Sequence, residues 1–121
     1  MSVSTPKPAK KQTDRRRRRH PRFRADFRAT VSFLLGNQYH KLEGHCRDLS
    51  EAGIGILLAT EMNVGEVVGL SFSLPGSRVG WEVRAVVRYR RVYQYGFEFL
   101  SLTEEQQVLL ENYFNGLEPI D

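Results

Sequence analysis

WEVRAVVRYRR, residues 81–91, alternates along its whole length: Trp81, Val83, Ala85, Val87 and Tyr89 fall on one side of an extended chain, and Glu82, Arg84, Arg88 and Arg90 on the other. Successive side chains of a strand point to opposite faces, so this period of two reads as a strand with one buried face. Its neighbours repeat the pattern. YQYGFEFL (93–100) sets Tyr93, Tyr95, Phe97 and Phe99 on a common side. EVVGLSFSL (66–74) places Val68, Leu70, Phe72 and Leu74 inward and stops at the turn Pro75-Gly76-Ser77. GIGILLA (53–59) aligns Ile54, Ile56 and Leu58. FRATVSFLL (27–35) aligns Phe27, Ala29, Val31, Phe33 and Leu35 before Gly36-Asn37 reverses the chain into YHKLEGHCRD (39–48), a partner strand of weaker pattern.

Six short strands joined by tight turns predict an all-β fold, a six-stranded antiparallel sheet curled into a barrel. Beyond Leu100 the period changes. Thr103 with Gln106 forms a capping box, and Gln106, Leu109/Leu110, Tyr113/Phe114 and Leu117 recur at helical spacing until Gly116 and Pro119 end the run. The expected C-terminal α-helix closes one side of the barrel.

With 121 residues, 40% hydrophobic and 26% charged, the chain is sized for one soluble domain. Residues 1–14, MSVSTPKPAKKQTD, have almost nothing to bury and are expected to form a disordered tail, leaving 15–117 as the domain. No apolar run reaches the roughly 20 residues that span a bilayer, so membrane insertion is not expected. The lone Cys46 permits no internal disulfide, fits a reducing cytoplasmic location, and reads as a small buried side chain.

The net charge of +4 conceals a division. Residues 1–28 hold eleven Lys and Arg against Asp14 and Asp26, a balance of +9, whereas residues 29–121 hold seven basic against twelve acidic side chains, a balance of −5. RRRRRHPRFRADFR (15–28) alone carries eight arginines, and Pro21 biases His20 toward extended geometry, so a flexible basic arm on an extended strap is expected. Charge so segregated serves a partner or ligand.

Little in the chain suggests catalysis. His20, His40 and His45 make no metal-ligand spacing with Cys46, and His40 and His45 lie five apart on one strand, hence on opposite faces. No phosphate-cradling glycine loop occurs. A trio of Ser50, His45 and Asp48 is what chance gives in a chain of this length. We therefore expect no enzyme, no resident cofactor and no metal.

Two stretches carry more. Arg18 and Arg22 form an RxxxR spacing in the arginine run, and Asp48-Leu49-Ser50-Glu51-Ala52-Gly53 reads DxSxxG between the second and third strands. DxSxxG alone reads first as a turn, with Asp and Ser bonding their own backbone and Gly accepting positive φ. Arginine runs alone are commonly nonspecific anion patches. In this order, with a six-strand barrel and a helix following, and with YGFEF (95–99) as last strand, the chain resembles the PilZ domain family across residues 15–114.

The resemblance implies a receptor for cyclic di-GMP. Arg18 and Arg22 would grip guanine edges and phosphates, for which planar guanidinium forks are suited. Asp48 would accept from the guanine N1–H and N2–H₂, Ser50 would donate to a phosphate or base, and Gly53 would let the ligand approach the backbone. In the family the chain resembles, an arginine directly before the first motif arginine, here Arg17, goes with two stacked ligand molecules, which the resemblance therefore implies. Tyr89, with Arg88 and Arg90 beside it, is either a stacking surface for a base or, as the alternation has it, a core aromatic. Ligand binding would order the arm and signal to an unidentified protein partner. The rivals are a nucleic-acid-binding protein using the arm, which the acidic body opposes, and a PilZ-fold interaction module that binds no nucleotide, which the presence of both motifs opposes.

Overall fold

The computed structural model describes residues 20–120. Chain order is β1 (Arg22–Leu35), β2 (Gln38–Leu49), β3 (Gly53–Leu57), β4 (Val67–Phe72), β5 (Trp81–Arg91), β6 (Gln94–Phe99), α1 (Glu104–Phe114) and β7 (Pro119–Ile120). The first six strands are hydrogen-bonded in the order β2-β3-β6-β5-β4-β1, and β1 also pairs with β2, so the antiparallel sheet closes on itself as a barrel with no free edge. The inward faces supply the core: Val31, Ile54, Ile56, Leu70, Trp81, Ala85, Val87 and Tyr95 are buried together. Tyr95 also needs partners for its buried hydroxyl. It accepts from the Met62 N–H (3.0 Å) and donates to the Thr60 carbonyl (2.5 Å), pinning the loop that follows β3.

Several expectations change at element ends. β1 begins at Arg22, five residues before the expected Phe27, so Arg22 and Arg24 are strand residues and not part of a strap. Leu35 is 62% exposed because the β1–β2 hairpin runs past its neighbours: β4 pairs with β1 only over Ala29–Ser32, and β3 with β2 only from His45 to Leu49. Tyr93 is exposed because Arg91 pairs with Gln94, which leaves Val92 and Tyr93 as the turn itself. Val92 sits there at φ 57, unusual for a β-branched residue, and the Arg90 Nε–H bond to its carbonyl (3.0 Å) helps hold it. The expected tail, residues 1–14, and Arg15 to Arg19 lie outside the described residues.

The helix begins as expected. Thr103 Oγ1 accepts from the Gln106 N–H and the Gln106 side chain accepts from the Thr103 N–H, both at 3.0 Å. Leu110 and Phe114 are buried against the barrel, and the Phe114 ring stacks on Phe23 with centroids 4.3 Å apart. Leu117, counted in the expected stripe, is exposed, because α1 ends at Phe114 and Gly116 (φ 88) turns the chain away. The chain then returns as β7, pairing Pro119 and Ile120 with Phe23 and Arg22. No periodicity announces a two-residue strand.

Phe114 joins the helix to the barrel. Phe114→Ala is expected to cost about 3–5 kcal/mol in urea-induced unfolding; a loss under about 1 kcal/mol would show that the helix contributes little to closing the barrel.

Candidate functional site

Two strand irregularities build the site. Along β2, Gly44 and Cys46 face the core, so unbroken alternation would turn Asp48 inward as well. One extra residue, Arg47, intervenes: Cys46 pairs with Ile56 and Asp48 with Gly55. Along β5, Ala85 and Val87 face the core, and Arg88 is the extra residue between the pairs Val87–Phe97 and Tyr89–Gly96. A bulge shifts the residue after it to the other face. Tyr89, which strand alternation alone would turn toward the core, is 41% exposed, as the stacking reading requires.

Register then lines up one row across four strands, Asp48 (β2), Gly55 (β3), Gly96 (β6) and Tyr89 (β5). Ile54 and Ile56 point into the core, so Gly55 lies between them on the outer face. A methyl group on Gly55 would sit 2.8 Å from both Asp48 carboxylate oxygens, and one on Gly96 would strike the Tyr89 ring. The two bare glycines thus form a floor, with a carboxylate lying over one end and a phenol ring over the other.

Arg22 reaches this row from β1. Its Nη2 donates to Asp48 Oδ1 at 2.7 Å, joining residues 26 apart in sequence. The Asp48 side chain is 15% exposed and that of Arg22 36%, so the pair is sheltered while part of the guanidinium stays accessible. Next to it lies a pocket of about 220 Å³ lined by Arg22, Ser50, Gly53, Tyr89, Gly96 and Glu98 among others. Arg88 Nε donates to Glu98 Oε1 at 2.5 Å along the same wall.

The 48–53 segment explains itself locally. Ser50 is buried, and its Oγ accepts from the backbone N–H groups of Ala52 (3.0 Å) and Gly53 (3.1 Å), while its own N–H donates to the Gly53 carbonyl (2.8 Å). Its oxygen is therefore engaged in holding the turn. Asp48 is the penultimate residue of β2 and bonds Arg22 rather than the turn backbone. Gly53 is not among the glycines with positive φ. A side chain there is excluded by the Phe97 carbonyl on β6, so its smallness serves strand packing.

Of the expected site residues, the fold brings Arg22, Asp48, Ser50, Gly53 and Tyr89 together; Arg17 and Arg18 lie outside the described residues. Gly55 and Gly96 join the site without belonging to either motif. Their signal was a glycine at the outward position of an otherwise regular strand, in GIG (53–55) and YGF (95–97). The trio of Ser50, His45 and Asp48 does not assemble: His45 Nε2 is bonded to Asp26 Oδ1 at 2.5 Å and Asp48 to Arg22. Among the described residues no three His, Cys, Asp or Glu side chains group to hold a metal ion, and no helix is long and apolar enough to cross a membrane. Cys46 is buried and its thiol is pushed up to about 12, first by burial and then by the Asp48 charge.

Gly53→Ala must move β6 backbone, whereas Gly55→Ala need only displace the Asp48 side chain. We expect Gly53→Ala to be the more destabilising by about 1–3 kcal/mol in urea, and only Gly55→Ala to shift the Arg22 Nε–H NMR signal in an otherwise native spectrum. The reverse ranking would overturn these two assignments. The thiol sets an alkaline limit. It ionises at 9.0 when unperturbed and at about 12 in the fold, so its share of stability is intact below 9.0 and is lost as pH rises toward 12. Cys46→Ser should flatten the stability–pH curve in that window, read by chemical denaturation.

Residues 16–116 match the family model described as PilZ domain. The fold is similar to the Bacillus subtilis inhibitor of motility MotI/DgrA (TM-score 0.66, 22% identity, 80% of this chain and 48% of that one). It is similar to the PilZ domain of Escherichia coli YcgR solved with c-di-GMP (TM-score 0.62, 20% identity, 84% and 91%). It is also similar to the PilZ domain of CeSA from a cellulose-synthesizing bacterium (TM-score 0.59, 16% identity, 78% and 95%). The chain spans about half the length of the Bacillus subtilis protein. No curated protein matches it.

Proposed function

The chain belongs to the PilZ domain family, and we propose that it is a receptor for cyclic di-GMP that acts on a partner protein and catalyses no reaction itself. One observation carries this reading: the Arg22 guanidinium, steadied by Asp48, stands at the edge of a pocket bordered by the exposed Tyr89 ring. Asp48 engages one Nη of Arg22, and the rest of the fork remains for the O6 and N7 acceptors of a guanine. The second Asp48 oxygen is placed to accept from a guanine N1–H or N2–H₂. Tyr89, on the outer face because of its bulge, offers a flat surface for a purine.

Arg18 and Arg17 complete the site in this reading. His20 Nδ1 lies 3.9 Å from Glu51 Oε1, so the residue that directly follows the arginine run sits beside the 48–53 turn. Ligand phosphates would neutralise Arg17 and Arg18 and draw the arm against the barrel, changing the surface offered to the partner. Two stacked ligands, bringing four phosphates, would use the arginines 15–17 as well. Ser50 contributes by fixing the turn, leaving only its hydroxyl proton to donate.

A polynucleotide is the poorer fit, since the body beyond residue 28 carries a charge of −5. Calorimetry with cyclic di-GMP, with linear GMP and cyclic di-AMP as controls, is expected to give selective binding with about two ligands per chain. Arg22→Ala should weaken it about tenfold to hundredfold, and Asp48→Ala should weaken it while leaving DNA binding unchanged or improved. A stoichiometry of one would remove the role given to Arg17. Equal losses for DNA and cyclic di-GMP would replace the receptor with a polyanion arm.

A further inference from the structure

A second groove, of about 520 Å³, opens where β1 meets α1, and among its lining are Arg24, Asp26, His45, Arg47, Pro75 and Tyr113. β1 is bulged here: Arg24 pairs with Asp48 and Phe27 with Cys46, so Ala25 and Asp26 together face Arg47 alone. Arg47 is the extra residue of β2 against β3 as well. The same irregularities that turn Asp48 outward therefore bring two exposed guanidinium groups to one groove.

What sets these two arginines apart is that both lack a carboxylate partner among the described residues and both line one groove. Arg22, Arg28, Arg88 and Arg90 each have a carboxylate within 4.0 Å, whereas among the described residues Arg24 and Arg47, like the separately placed Arg78, Arg84 and Arg91, have none. The carboxylate in the groove, Asp26, is engaged by His45 Nε2 at 2.5 Å. Two like charges lining one groove repel, at a cost that a bound anion turns into attraction. Guanidinium forks match pairs of phosphate oxygens. A phosphomonoester carries close to two charges near neutral pH and suits two guanidiniums, whereas a phosphodiester carries one. Beyond them, Pro75 and the half-buried Tyr113 ring supply an apolar wall for an organic group.

We propose that Arg24 and Arg47 form a second anion site, separate from the Arg22–Asp48 pocket, which binds the phosphate of a small phosphomonoester with its organic part against Tyr113 and Pro75. The site does not depend on the cyclic di-GMP reading. Its occupant reaches β2 at the residue directly before Asp48, so the two sites share one strand end.

The test uses the full chain and NMR signals of the arginine Nε–H groups and the Tyr113 ring, titrated separately with phenyl phosphate, inorganic phosphate and cyclic di-GMP. Phenyl phosphate is expected to shift Arg24, Arg47 and Tyr113 together and to saturate, with inorganic phosphate weaker at the same arginines. Arg24→Gln and Arg47→Gln should each raise the phenyl phosphate Kd about tenfold, in chains whose remaining spectrum is native. Shifts confined to arginines 15–19, or a Kd unmoved by both variants, would overturn the site. Equal affinity for inorganic phosphate would overturn the ester assignment. The response of Arg22 to cyclic di-GMP is scored at a different resonance, so either reading can fail alone.

Discussion

A carboxylate at the end of a strand inside a closed barrel has two possible directions, and one extra residue chooses between them. Arg47 breaks the two-residue rhythm of β2, so Asp48 lies over Gly55 on the outer face instead of entering a core of isoleucine and tyrosine. Buried without a partner, that charge would cost several kcal/mol or be neutralised by proton uptake. Turned outward, it meets the Arg22 guanidinium at 2.7 Å. Everything assigned to the pocket depends on this reorientation, including the placement of Arg22 and the accessibility of its remaining donors.

The surrounding structure is arranged to preserve that choice. Ser50 closes the turn after β2 with two accepted backbone hydrogen bonds, and Gly53 lets β3 sit against the Phe97 carbonyl. A second bulge at Arg88 turns Tyr89 out by the same means, onto Gly96. Carboxylate and ring thus face each other across four strands over a floor without side chains. A glycine in a strand interior normally weakens it; here the lost packing is offset by the side chains that fold over Gly55 and Gly96.

Charge is divided as sharply as geometry. The basic arm joins the barrel at β1, beside the 48–53 turn on one hand and β7 on the other, where Ile120 pairs with Arg22. Among the described residues, His20 and the pair Pro119 and Ile120 therefore both lie beside the strand that carries the pocket arginine. In the receptor reading, this places His20 and the segment Pro119–Ile120 where nucleotide binding would be felt first.

Alternation and capping residues were enough to define the barrel and its helix. The inward sets of Val68/Leu70/Phe72 and Tyr95/Phe97/Phe99 are buried as read, and Thr103 with Gln106 starts the helix, because burial of one strand face and satisfaction of helix-end N–H groups are local requirements. RxxxR and DxSxxG likewise contain Arg22, Asp48, Ser50 and Gly53, which the fold brings to one place. Tertiary structure alone decided which way Asp48 and Tyr89 point, why Gly53, Gly55 and Gly96 must be small, and that the end of the chain returns beside Arg22. A bulge exists only as a mismatch in residue count between paired strands, so it leaves no mark on either strand read singly; register, which pairs residues far apart in the chain, is what makes it visible.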